Sequence, residues 1–267
     1  MTQITNLLKR TFKDRRTSLV IYAAGLAAYS VFILAIWPSI KNAQLQQLWQ
    51  SYPPALKKAF GANIDLAAFD GFFTLEYFGQ LWPLILIAFS VGFASASLGG
   101  EIEKGTMELL LSQPVRRRSV VLGKYLFFLL ALAALIIATL IPVVLGAPIA
   151  GGRVGITGVA ALGLQAFLFF AAVGSYSIFS AALFSTRSRA IFASVAVAII
   201  SYALDILAKL NNFVSNFHFL SLFYYYDPFR YLHSASYAWG DLTVLTAISL
   251  FSLTAAVLWF NHRDIAC

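Results

Sequence analysis

Long apolar runs separated by short polar stretches organise the whole chain. Six windows, residues 19–37, 81–98, 125–145, 159–184, 190–208 and 242–260, are made almost wholly of apolar side chains. Each is close to the length at which a helix rising about 1.5 Å per residue crosses a hydrocarbon core roughly 30 Å thick. None shows the polar/apolar alternation of a barrel strand. The pattern predicts an all-α membrane protein, with six transmembrane helices in a single domain over residues 1–267. The first window ends in Trp37-Pro38 with no small-residue cleavage pattern and starts some eighteen residues in, so it is expected to be retained rather than removed as a signal peptide.

The stretches between the windows predict accessory elements. Ile4, Leu7, Leu8 and Phe12 share one helical face while Lys9, Arg10, Lys13 and Arg16 fall largely elsewhere, the pattern of a basic elbow helix over 4–16 lying in the inner interface. Residues 39–80, with Pro53-Pro54, are too polar to span and are expected to cap the outer mouth. Residues 211–240 hold Phe213, Phe217, Phe219, Phe223, Tyr224, Tyr225, Tyr226, Phe229, Tyr231, Tyr237 and Trp239 around an Asp227-Pro228 break. Two readings stay open for them: a re-entrant helical hairpin before the sixth helix, or an aromatic belt at the outer interface.

Composition agrees with the pattern. The chain is 60% hydrophobic and 11% charged, against about 25% charged residues in a soluble globular domain. Much of that charge is gathered in residues 99–124, where Glu101, Glu103, Glu108, Lys104, Arg116, Arg117, Arg118 and Lys124 make a dense polar insert between two apolar windows. It reads as a cytoplasmic docking loop. With the N-terminus inside, thirteen bases and five acids lie on the inner side and six of each on the outer, so the whole net charge of +8 is cytoplasmic, as the positive-inside rule requires. The expected protein is multi-pass in a bacterial or archaeal plasma membrane with both termini inside, and its basic balance reports contact with anionic membrane lipids rather than nucleic-acid binding.

Chemistry is mostly absent from the sequence. His218, His233 and His262 are far apart, and the lone Cys267 forms no intrachain disulfide or metal cluster. Gly100 to Thr106 resembles a phosphate loop only superficially: Lys104 precedes Gly105 and the run follows a membrane helix, whereas that loop needs Gly-Lys-Ser/Thr after a buried strand. No ATP site is expected in this chain. Asp205, close to the outer end of its window, has Lys209 four residues on and is read as half of a structural i, i+4 pair rather than a proton or substrate site.

The run Glu-Lys-Gly-Thr-Met-Glu-Leu-Leu-Leu-Ser-Gln-Pro-Val-Arg at residues 103–116, followed by Leu122-Gly123-Lys124, resembles the signature that six-helix ABC-transporter permeases of the type-2 exporter superfamily carry between their second and third helices. The charged tail Asn261-His262-Arg263-Asp264-Ile265 is similar to theirs. The resemblance implies a non-catalytic permease subunit. It would pair with a second copy or a sister permease and with two cytoplasmic ATP-binding subunits, which hold the ATP and Mg; no cofactor belongs to this chain.

In that resemblance residues 99–124 are the coupling loop, with Glu101, Glu103, Gly105, Thr106, Met107, Glu108, Leu110, Leu111, Pro114 and Arg116 as its ATPase-coupling residues. Their pattern agrees. Met107, Leu110 and Leu111 at i, i+3, i+4 make a short helix with an apolar edge, Pro114 ends it, and the three acids offer an edge to a soluble partner. Gly92, Ser95, Ser97, Gly174, Ser175, Tyr176 and Ser177 are candidate substrate-pathway residues, although small residues in membrane helices also serve close packing. Apolar, nearly uncharged spans suit an amphiphilic or lipid-like cargo moved outward. An ion-coupled secondary transporter, for which no internal repeat is visible, and a membrane anchor or sensor for an ATPase are the competing readings.

Overall fold

The computed structural model describes residues 2–40, 47, 49–55, 57, 65–66, 68–112, 115–184, 186–234 and 237–262, with the side chains of 2–9, 111 and 234 excepted. Every apolar window falls on a long helix. Among the described residues, Arg10–Ile40, Phe69–Glu103, Arg117–Ile149, Ile156–Leu183, Arg187–Leu210 and Trp239–His262 are the 6 segments long and apolar enough to cross a membrane, here numbered first to sixth span. No strand occurs among the described residues, and the fold is an all-α membrane bundle.

Two boundaries depart from expectation. The elbow is not set off from the first span: Thr2–Ile40 is one uninterrupted helix. Residues 13–18 hold neither Gly nor Pro, so nothing local stops the helix there. The second span begins at Phe69 rather than at residue 81, as a short α-turn (Phe69–Phe72), a π-helical stretch (Phe73–Leu81) and a regular α-helix (Trp82–Ser97). Asp70, Glu76 and Gln80 interrupt the apolar run before residue 81, yet Phe72, Phe73, Tyr77 and Phe78 between them are buried. Part of the expected outer cap is therefore helix.

The π-stretch stops at Leu81, two residues before Pro83. In its i to i+5 register the carbonyl of Phe78 would meet the amide of residue 83, and proline has none. The Tyr226 hydroxyl, from the aromatic segment between the fifth and sixth spans, donates to that carbonyl at 2.8 Å. That aromatic segment is a chain of single turns, Asn212–Ser215, His218–Leu220 and Phe223–Tyr225, leading to the helix Pro228–Ser234. It is pinned to the bundle by Gln165 Nε2 on the Tyr225 carbonyl at 3.0 Å, by the Ser221 hydroxyl on the Ser201 carbonyl at 2.7 Å and by His233 on Asp70 at 2.5 Å.

The fourth span is the hub, packing against the second, third, fifth and sixth, while the first packs chiefly on the third. Close approach explains the hub. A Cβ on Gly174 would lie 2.1 Å from the Phe128 ring, so only glycine lets the third and fourth spans meet there. Polar side chains join the first three spans inside the core: Ser30 bonds the Tyr77 hydroxyl at 2.8 Å, and Trp82 Nε1 donates to Thr139 Oγ1 at 3.1 Å. The fifth span turns Phe192, Val197, Ile199 and Ile200 outward, and the first does the same with Val20, Ile21, Val31 and Phe32. Such faces are stable against hydrocarbon and would not be against water.

Candidate functional site

The polar insert forms a folded corner at one end of the bundle. The α-helix of the second span stops at Ser97, a one-turn helix follows over Gly99–Glu103, and Gly105 at φ 69° turns the chain into the short helix Thr106–Leu111. That left-handed conformation strains any residue with a Cβ. The Thr106 hydroxyl closes the corner on the Glu101 carbonyl at 3.2 Å. Gly99 and Gly100 are buried, and a Cβ on either would come within 3.5 and 3.6 Å of Arg187, the first residue of the fifth span.

Charges lock the corner in place. The Lys124 ammonium, only 3% exposed within the third span, meets Glu101 Oε2 at 2.5 Å and also donates to the Ser97 carbonyl. Glu103 Oε2 accepts the backbone N–H of Arg187 at 2.8 Å, satisfying one of the amides that every helix start leaves unpaired. Two of the three acids read as docking charges thus bind the chain itself.

The short helix is turned opposite to the expected edge. Met107 and Leu110 are 0% and 5% exposed inside the chain's own core, whereas Leu109, outside the predicted edge, is 70% exposed. Lys104 and Glu108 are exposed beside it. Own-chain packing won because the ends of the spans at this corner leave apolar surface that Met107 and Leu110 cover. Pro114 and the side chain of Leu111 lie outside the described residues, and exposed Arg116 immediately precedes the third span.

The pathway candidates separate into packing and unsatisfied groups. Gly174 holds the Phe128 ring, and Ser97, Ser175 and Ser177 bond carbonyls of their own helices at 3.0, 2.8 and 2.8 Å, a common way to silence a hydroxyl in a membrane helix. A Cβ on Gly92 would meet nothing within 4 Å. Ser95 Oγ and the Tyr176 hydroxyl are buried without a hydrogen-bond partner. Asp205 meets Lys209 Nζ at 2.7 Å, as the i, i+4 spacing predicts. Among the described residues no three His, Cys, Asp or Glu side chains gather where a metal could bind.

Sequence reasoning missed the long-range members of this arrangement. Glu103 and Arg187 are 84 residues apart, and no local signal joins them. Lys124 carries one: a lysine seven residues into an apolar helix that begins at Arg117 is costly without a partner. Tyr125, its neighbour, bonds Ser249 of the sixth span at 2.6 Å.

A comparison with curated proteins found no match. A family model described as "ABC-2 family transporter protein" matches residues 5–264, spanning all six helices and the corner between the second and third. The chain belongs to the ABC-2 transporter family and is a multi-pass membrane protein of that family.

Proposed function

We propose that this chain is the membrane-spanning permease subunit of an ATP-driven exporter. Two copies, or one copy and a sister permease, form the pathway, and two cytoplasmic ATP-binding subunits power it with Mg-ATP. The N-terminus, the C-terminus and the helix Thr106–Leu111 face the cytoplasm, because that orientation puts all of the net charge of +8 inside. The cargo is amphiphilic or lipid-like, in keeping with spans whose buried polar groups mostly satisfy one another.

The observation that carries the reading is the sidedness of the short helix. Its inner face, Met107 and Leu110, is committed to the bundle, while Lys104, Glu108 and Leu109 stand outward together. An exposed leucine between two opposite charges, on a helix held at the base of the spans, suits an apolar anchor with a charged rim in a groove of a soluble partner. The partner supplies the chemistry and this chain the moving part.

The test is co-purification of the ATP-binding subunit and permease-stimulated ATP hydrolysis in lipid nanodiscs. Leu109→Asp with Glu108→Lys should lose both while the permease stays monodisperse, since exposed substitutions usually alter stability by less than about 0.5 kcal/mol. Full binding and stimulation by this variant would overturn the assignment of the docking face.

A further inference from the structure

We propose that Lys124 and Glu103 clamp the coupling corner to the third and fifth spans, so that displacement of the short helix carries the inner ends of both spans with it as one body. This rests on the permease reading above and names the residues through which force passes inside the chain.

Three contacts hold the corner, and they lead to two different spans. Lys124 reaches back from the third span to Glu101 Oε2 and to the Ser97 carbonyl. It lies seven residues beyond Arg117, where that helix begins, so the grip is about 10 Å up the helix at about 1.5 Å per residue and not at its fraying end. Glu103 fastens the other side of the corner to the Arg187 amide, and Gly99 and Gly100 lie beside Thr186 and Arg187 there, so the corner and the start of the fifth span are adjacent. A docking charge needs to be free; these are engaged.

Burial makes the Lys124 contact obligatory. An ammonium 3% exposed is stable only with its charge and hydrogen bonds matched, and Glu101 with Ser97 supplies both. A corner that swung away from the third span would leave that charge bare, so corner and span move together. Glu103 lacks this compulsion, being exposed, and adds direction by fixing the corner to the fifth span. Lys124, Glu101 and Glu103 are positioning residues that touch neither nucleotide nor cargo.

The test uses the full permease with its ATP-binding subunit in nanodiscs, with Cys267→Ser and spin labels at Ser112→Cys, just past the short helix and outside its docking face, and Phe192→Cys, both exposed positions. The probe is Mg-ATP trapped with vanadate. In the unmodified background the distance between labels should be the same before and after trapping. In Glu101→Gln/Lys124→Met/Glu103→Ala, which leaves no charge buried and unpaired, it should shift by several ångströms on trapping, the ATP-binding subunit should still co-purify, and stimulated hydrolysis should fall at least about fivefold, the lower range of site-to-site coupling. Glu103→Ala alone, which spares the buried pair, should show a smaller loss of the same kind. An unshifted distance and full stimulation in the triple variant would overturn the clamp alone. Absence of any ATP-binding subunit from the unmodified protein would overturn the permease reading and the clamp with it.

Discussion

Lys124 and Glu101 meet 2.5 Å apart where the second span ends and the third has made two turns, and one of the two is almost wholly buried while the other is a third exposed. The asymmetry sets what each substitution does. Glu101→Gln strands a buried ammonium and should cost about 3–5 kcal/mol, the penalty for breaking a buried pair. Lys124→Met leaves Glu101 able to reach water and should cost less, and the double substitution should be the best tolerated of the three. Thermal unfolding in one detergent orders the variants; equal losses for both single changes would mean that burial does not control the pair.

Asp205 and Lys209 show the same asymmetry with the signs exchanged. Asp205 is buried and Lys209 half-exposed across 2.7 Å, so Lys209→Met strands the carboxylate and should destabilise by about 1–3 kcal/mol more than Asp205→Asn, which leaves a solvated lysine and an amide able to hydrogen-bond. Because the pair is structural, Asp205→Asn should also leave the pH profile of stimulated ATP hydrolysis unchanged. A shifted profile in a well-folded Asp205→Asn protein would revive an ion-coupled role.

Tyr226→Phe should cost about 1–3 kcal/mol, the penalty for an unsatisfied buried carbonyl, because the Phe78 carbonyl loses the 2.8 Å bond that replaces a proline amide. Pro83→Ala restores an amide at the position the π-register requires. The two changes should therefore be less than additive, and a double-mutant cycle on unfolding free energy measures the coupling; strict additivity would disconnect the aromatic segment from the π-stretch.

Gly174→Ala should destabilise by about 1–3 kcal/mol through overpacking, since the new Cβ would sit 2.1 Å from the Phe128 ring. Phe128→Leu in the same chain should recover part of the loss. If Gly174→Ala unfolds like the unmodified protein, the two spans are not in contact at that point, and the residue returns to the list of pathway candidates.

What could be read along the sequence was whatever depended on neighbours. Apolar length alone located the spans, because hydrocarbon forces every backbone group into an internal bond, and the i, i+4 spacing alone paired Asp205 with Lys209. The polar insert was legible as a distinct element, but its sidedness was not. Over the six residues Thr106–Leu111 periodicity shows that Met107 and Leu110 share a face and leaves open whether that face meets a partner or the chain's own core. Glu103 on Arg187 and Tyr226 on Phe78 join residues 84 and 148 apart through geometry that exists only after the spans pack. The start of the second span is hidden in the sequence, since Asp70, Glu76 and Gln80 interrupt its apolar run while the aromatic residues between them are buried.

If the exposed side of Thr106–Leu111 is the contact with an ATP-binding subunit, site-specific photocrosslinking will find it there. A benzophenone side chain placed at Leu109 in the assembled complex should capture the ATP-binding subunit in good yield, and the same probe at Met107 or Leu110, buried in the core, should capture only this chain. Capture of the ATP-binding subunit from 107 or 110 with none from 109, or no capture from any of the three in a complex that does hydrolyse ATP, would contradict the account.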